Sequence, residues 1–211
     1  MNIGVDLDGV VYQTEKVWRD YAEKYNKLIG GKLIDDSEAR VDARYDWTKE
    51  QYDNFVQNLS IEILAKAPIY PKTKEVISKL RTNNKVIFIT RRGFGDFGGK
   101  EEIDNTLKRL KVDGVEYDKI VFKQDSKVKA CKENNIDIMI DDYYKVIDEL
   151  MDNGVKCLCF RDKRNKTGKH KVPEVYSWEE VLEFFENTHN EVLNLLWLRY
   201  YGANCYKLQY I

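Results

Sequence analysis

Two aspartates one residue apart, Asp6 and Asp8, stand directly after a short apolar run and directly before Gly9. In an extended segment alternate side chains point the same way, so this spacing puts both carboxylates on one side of a strand end. Like charges held that close repel each other, and a divalent cation bound by hard oxygen ligands is the usual counterweight. Asp and Gly are also ordinary turn formers, and the pair alone does not separate the two readings. A second pair, Asp141-Asp142, follows the apolar run 136–140, Thr90 closes the run 85–90, and Lys127 opens a helical pattern. Carboxylates with waters suit Mg²⁺, which binds through few protein carboxylates plus a substrate phosphate. A lysine and a hydroxyl beside them supply a cation and a donor for phosphate oxygens.

Each of these residues has a structural alternative. Thr90 serves equally to end a strand, and Lys123 and Lys129 compete with Lys127 for the same role. Asp141-Asp142 suits the N-terminus of the helix after it. Arg91-Arg92 either reaches a phosphate or nucleotide or forms a solvated basic turn. Of the aromatics between residues 14 and 70, Trp47 lies off the helical stripes and is the preferred candidate for stacking a nucleobase, a contact that any base permits.

The elements that must position these groups follow from periodicity. Residues 2–5 read as a buried strand, and Val17, Trp18, Tyr21, Ala22, Tyr25, Leu28 and Ile29 fall on one face of a helix begun by Thr14 and stopped by Gly30-Gly31. The stretch 32–67 keeps a helical character, with helices expected at 49–59, capped by Thr48, and at 61–66. From Pro71 onward strands and helices alternate: helix 73–81, strand 85–90, helix 100–110, strand 119–122, helix 127–133, strand 136–140, helix 143–152, strand 155–160 and helix 177–186. Such alternation predicts a parallel sheet covered on both faces. The expected fold is a Rossmann-like parallel α/β core, residues 1–13 and 71–186, with a small all-helical cap, residues 14–70, inserted after the first strand. Loops at the carboxyl edge of such a sheet converge, and ligands bind there. The apolar, tyrosine-rich segment 187–211 has no assigned role.

Composition narrows the function classes. The 211 residues carry 35 basic and 36 acidic side chains, a net charge of −1, which leaves no global basic field for polymeric nucleic acid. No apolar run approaches the roughly 20 residues that span a membrane. The N-terminus lacks the basic-then-apolar plan of a signal peptide. Cys131, Cys157, Cys159 and Cys205 fit neither a metal site nor a disulfide framework, so a reducing cytoplasm is the expected location. The segment 93–98 formally matches G-x-G-x-x-G, yet it follows an internal strand and no ribose-binding acid closes the unit. A loop at the mouth of the site suits it better than a dinucleotide cradle.

Asp6-Leu7-Asp8-Gly9-Val10 resembles the first motif of the haloacid-dehalogenase-like hydrolases. Ile87-Phe88-Ile89-Thr90 resembles their second motif, and Lys127 ahead of Asp141-Asp142 their third and fourth, all in order across the chain to about residue 186. The compact helical cap, the Asp141-Asp142 pair and the segment 175–180 look most like 5'(3')-deoxyribonucleotidases and their bacterial relatives. The resemblance implies Asp6 as the nucleophile that forms an aspartyl-phosphate and Asp8 as the acid and base. It implies Thr90 and Lys127 as phosphoryl ligands, with Mg²⁺ on Asp6, the Asp8 backbone carbonyl, Asp141 and, less directly, Asp142. The substrate class it implies is a nucleoside monophosphate. Sugar-phosphate phosphatases and phosphomutases of the same superfamily are the enzymatic alternative. A phospho-accepting receiver is the non-enzymatic one, but it takes its phosphoryl group after a middle strand and has no need of Asp8. Oligomeric state is not legible.

Overall fold

The computed structural model describes residues 1–93, 99–161 and 166–188. The segment after Thr188, including most of the tyrosine-rich tail and Cys205, lies outside the described residues, as do residues 94–98 of the glycine-rich loop.

β1 (Asn2–Val5) is followed by α1 (Thr14–Ile29), the short α2 (Val41–Arg44) and α3 (Lys49–Lys66). The alternating part then runs α4 (Thr73–Arg81), β2 (Lys85–Ile89), α5 (Gly99–Asp113), β3 (Lys119–Val121), α6 (Lys127–Glu133), β4 (Ile138–Asp141), α7 (Tyr144–Asp152), β5 (Cys157–Phe160), β6 (Glu174–Val175) and α8 (Trp178–Thr188). The strands form one parallel sheet in the order β3-β2-β1-β4-β5-β6. β1 is central, with Val5 opposite Phe88 on one side and Ile140 on the other. The strand order reverses between β1 and β4, and the crevice beyond the carboxyl ends of two such strands is where an open α/β sheet accepts ligands.

The sheet is apolar on both faces, as parallel sheets require. Ile3, Val5, Val86, Phe88, Ile138 and Ile140 face a core shared with α4, α5 and α8, closed by Trp178 and Leu110. Ile87, Ile89, Met139, Cys157 and Cys159 face the other layer, formed by α6 and α7. Gly4 sits in the central strand because a Cβ there would meet the Met139 sulfur at 2.6 Å. Cys131, Cys157 and Cys159 are buried, free thiols that act as small apolar fillers.

Helices α1–α3 pack around a separate aromatic core in which Phe55 is fully buried among Trp18, Tyr25 and Trp47. Two chain segments join this helical unit to the sheet and run side by side, bonded from Gln13 N to Pro68 O at 2.8 Å and from Tyr70 N to Val11 O at 3.0 Å.

Several elements differ from expectation. The stretch 49–66 is one continuous helix, because Ser60 is buried within it and nothing there stops propagation. Thr48 caps it in a reciprocal box with Gln51. Helical character does not extend through 32–40, which is irregular, with a bridge from Leu33 to Tyr45 and a single turn at 36–37. Thr14 is the first helical residue and not the cap; its hydroxyl accepts the Gly9 N–H at 3.0 Å. β4 starts later than expected and includes Asp141, while β6 went unforeseen, since two residues carry no periodicity. Among the described residues no helix is long and apolar enough to cross a membrane.

Candidate active site

Asp6 extends β1 by one ladder bond, its N–H donating to Ile140 O at 3.0 Å. One carboxylate oxygen accepts the Leu7 N–H at 2.8 Å, and the other lies 2.7 Å from Lys127 Nζ. Lys127 opens α6, whose N-cap Ser126 accepts the Val128 N–H. The lysine is buried and also meets Asp141 Oδ2 at 2.6 Å. Asp141, the last residue of β4, accepts the Tyr143 N–H at 3.0 Å through its other oxygen and so anchors the start of α7. Asp142 lies against the turn after β1. A Cβ on Gly9 would come within 1.9 Å of its carboxylate, and Gly9 has φ +77°, so two independent constraints require glycine there.

Asp6, Asp141 and Asp142 each offer a carboxylate oxygen, all within 4.8 Å of one another. Three carboxylates against a single ammonium leave negative charge unbalanced. Burial first, then Asp141 and Asp8, outweigh Lys127 and raise the Asp6 pKa from 3.8 to about 7. Burial, with Asp141 and Asp6, raises that of Asp142 well above the ordinary carboxylate value. Burial opposes charge on Lys127, but Asp141 and Asp6 prevail and hold it protonated. The trio is a hard-oxygen set with surplus negative charge, the donor chemistry a divalent cation such as Mg²⁺ uses.

The Asp8 carboxylate is not part of this trio. It turns to Arg92, which grips both its oxygens at 2.7 and 3.0 Å. Arg91, next in the chain, has 45% of its side chain exposed and pairs with Asp125 at 3.0 Å.

A cavity of about 570 Å³ opens over these groups, lined on one side by Asp6, Asp8, Arg91, Lys127, Asp141 and Asp142. The helical unit supplies the facing wall with Trp18, Tyr52, Val56 and Leu64 and the charged Glu15 and Arg40.

Asp6, Asp8, Arg91, Lys127, Asp141 and Asp142 thus meet in one crevice, while Lys123 and Lys129 are exposed elsewhere. Thr90 and Trp47 are not among the lining residues. The Thr90 side chain is wholly buried, and its hydroxyl accepts the Arg92 N–H at 3.2 Å. Trp47 stacks on Tyr45 at 4.9 Å and donates from Nε1 to Asn26 at 2.8 Å, so its ring serves the core of the helical unit. Lying off a helical stripe did not free it, because a loop residue packs as readily as a helical one. Trp18 and Tyr52 take the position facing the cavity. Trp18 was hidden by its place on the α1 stripe, which reads as core.

The fold, a parallel sheet with helices on both faces, is that of haloacid-dehalogenase-like hydrolases among solved structures. A haloacid-dehalogenase-like hydrolase of Streptococcus pneumoniae superposes with a TM-score of 0.64 at 15% identity, covering 87% of this chain and 97% of that one. A haloacid-dehalogenase-superfamily hydrolase of Geobacter sulfurreducens gives 0.57 at 12% identity, covering 87% and 98%. CbbY of Rhodobacter sphaeroides, solved with xylulose-1,5-bisphosphate, gives 0.55 at 11% identity, covering 85% and 95%. By sequence, a nucleotidase of Clostridium acetobutylicum is 26% identical over 183 residues, 86% of this chain and 91% of that protein. No family model matches the chain.

Proposed function

We propose that this protein hydrolyses phosphomonoesters through an aspartyl-phosphate on Asp6, with Mg²⁺ as cofactor and nucleoside monophosphates as the substrate class. The observation that carries the proposal is one buried lysine shared by two carboxylates at the switch point of the sheet, Lys127 with Asp6 and Asp141. Asp6, Asp141 and Asp142, with the Asp8 backbone carbonyl that the family resemblance adds, would hold the metal. When bound, Mg²⁺ offsets the repulsion between an attacking carboxylate and a phosphate dianion.

In the first step an Asp6 oxygen forms a bond to phosphorus as the bond from phosphorus to the leaving oxygen breaks. The leaving oxygen keeps the electron pair and takes a proton from the Asp8 carboxyl group. In the second step water attacks the same phosphorus and returns a proton to Asp8, inorganic phosphate is released, and Asp6 is again a carboxylate. Lys127 keeps Asp6 oriented and places a positive charge beside the transferred phosphoryl group. Arg91, which lines the cavity, would meet the phosphate or the sugar.

The nucleoside part of the proposal rests on the aromatic wall. Trp18 and Tyr52 line the cavity together with the carboxylates, and stacking on aromatic rings accepts any base. The nucleotidase name of the Clostridium relative points the same way. Helices α1–α3, residues 14–70, act as the cap that covers this site, and the buried free thiols suit a reducing cytoplasm.

The test is phosphate release with Mg²⁺ from deoxy- and ribonucleoside monophosphates, sugar phosphates and p-nitrophenyl phosphate, using the native chain and Asp6→Asn. Turnover strongest on nucleotides and absent in Asp6→Asn is the expected result. Turnover favouring sugar phosphates would keep the mechanism and remove the substrate class. No turnover on any ester would remove both.

A further inference from the structure

Arg92 looks from the sequence like a candidate phosphate ligand, yet its guanidinium is already committed. Nε donates to Asp8 Oδ2 at 3.0 Å and Nη2 to Asp8 Oδ1 at 2.7 Å. Nη1 donates to the Thr106 hydroxyl at 3.1 Å, and that hydroxyl donates in turn to the Glu102 carbonyl at 2.7 Å. The guanidinium carbon lies 5.2 Å from the centre of the Tyr12 ring. The Arg92 backbone N–H is held by Thr90. Both residues line the cavity, but only 3% of the Arg92 side chain is exposed, against 32% for Asp8, so the carboxyl group is the more open member of the pair.

We propose that Arg92 is a positioning residue for Asp8 and not a phosphate ligand, and that it favours proton transfer from Asp8 to the leaving oxygen. The inference rests on the phosphomonoesterase reading above. A two-pronged guanidinium fixes the plane of the carboxyl group it grips. Asp8 becomes a carboxylate as its proton passes to the leaving oxygen, while the bond from phosphorus to that oxygen breaks and Asp6 takes its place on phosphorus. Arg92 therefore holds the Asp8 carboxyl group in one plane and direction, the orientation from which its proton reaches the leaving oxygen. In the second step the attacking water gives one of its protons to Asp8. Thr90, Thr106 and Tyr12 orient Arg92 itself, which accounts for a buried threonine hydroxyl at the end of β2.

The consequence is selective. A leaving group that departs readily as an anion needs no proton, whereas an alkoxide does. The measurement is kcat/KM, which covers the steps through departure of the leaving group, for p-nitrophenyl, phenyl and methyl phosphates and one nucleoside monophosphate. The native chain, Arg92→Lys, Arg92→Met and Thr106→Val are compared with Mg²⁺ present. General acid catalysis contributes about 10²–10⁴-fold. On that scale both Arg92 variants should lose about 10²-fold on methyl phosphate and the nucleotide, and no more than about fivefold on p-nitrophenyl phosphate. Lysine should not rescue, since it keeps the charge but loses the fork. Thr106→Val, which leaves Asp8 and Arg92 in place, should show the same leaving-group dependence at about threefold. It decides the matter if the Arg92 variants do not fold, as judged by their melting curves. A loss equal across all leaving groups, or restored by lysine, overturns the role of Arg92 while leaving Asp6 as nucleophile. A native chain that turns over no ester overturns the phosphomonoesterase reading and this role with it.

Discussion

The two walls of the cleft are built on different principles. The sheet wall is charged, and its groups are locked: Lys127 between Asp6 and Asp141, Arg92 across Asp8, Asp141 on the first turn of α7. The helical wall offers Trp18, Tyr52, Val56 and Leu64, with Glu15 and Arg40 as its charges among the described residues, backed by an aromatic core of its own. Groups that transfer charge must be held to a fraction of an ångström, and buried ion pairs at the ends of central strands do that. Groups that recognise an organic leaving group need area and shape, which aromatic side chains on a separate helical unit provide and can vary without disturbing the sheet.

If this division holds, disturbing the sheet wall should stop chemistry and disturbing the helical wall should alter recognition or local stability. The largest effect is expected for Asp6→Asn. Its turnover should fall by about 10³-fold or more, and a comparable loss in KM alone would contradict its place on the sheet wall.

Next comes Phe55→Ala, which removes the buried centre of the helical unit and should cost about 3–5 kcal/mol in denaturant unfolding. A cost under about 1 kcal/mol would mean that the aromatic core does not hold the helical unit together.

The third prediction concerns pH. The Asp6 pKa lies at about 7 in the folded chain against 3.8 as its ordinary value. The folded state therefore holds this proton more tightly than the unfolded state does. The contribution of Asp6 to stability is greatest at low pH, falls as pH rises between about 4 and about 7, and is level above that. Without metal, Asp6→Asn should be more stable than the native chain at pH 8, by on the order of 2 kcal/mol, and the gap should close near pH 4. Mg²⁺ should raise the melting temperature of the native chain at pH 8 and have little effect on the variant. A native chain indifferent to Mg²⁺ would contradict the metal assignment.

Trp18→Ala or Tyr52→Ala should raise KM for a nucleoside monophosphate about tenfold, in keeping with roughly 1–3 kcal/mol per stacked base, and leave kcat and the KM for a sugar phosphate nearly unchanged. The smallest effect is expected for Trp47→Phe, a change in KM of less than about twofold, because its ring faces the aromatic core and not the cavity.

Much of this is legible in the sequence. Strand alternation from Pro71 onward specified a parallel sheet because strands buried on both faces must be continuous apolar runs. Asp6, Asp8 and Asp141-Asp142 stood out because carboxylates at the ends of such runs have few structural reasons to be there. Lys127 was separable from Lys123 and Lys129 only by its place at a helix start. Boundaries were less legible. The break expected near Ser60 is absent, since a lone serine does not stop a helix whose other contacts are satisfied, and β6 is too short to leave a pattern. The partners of Thr90, Arg92 and Trp47 were not legible at all. Side chains of one type at one spacing point to a ligand or to a neighbour according to what the rest of the chain places beside them.

What the sequence determined by itself is the order of elements and the set of ionisable groups delivered to one sheet edge, because apolar period and strand-end position are local properties of the chain. What only the tertiary structure decided is which group faces which. Asp6 and Asp8 differ by two residues and both line the cavity, yet the chain bends between them beyond the end of β1, and one meets Lys127 and the other Arg92. That assignment depends on β2 and α6 converging on β1 from distant parts of the chain, and long-range contacts leave no periodic trace along it.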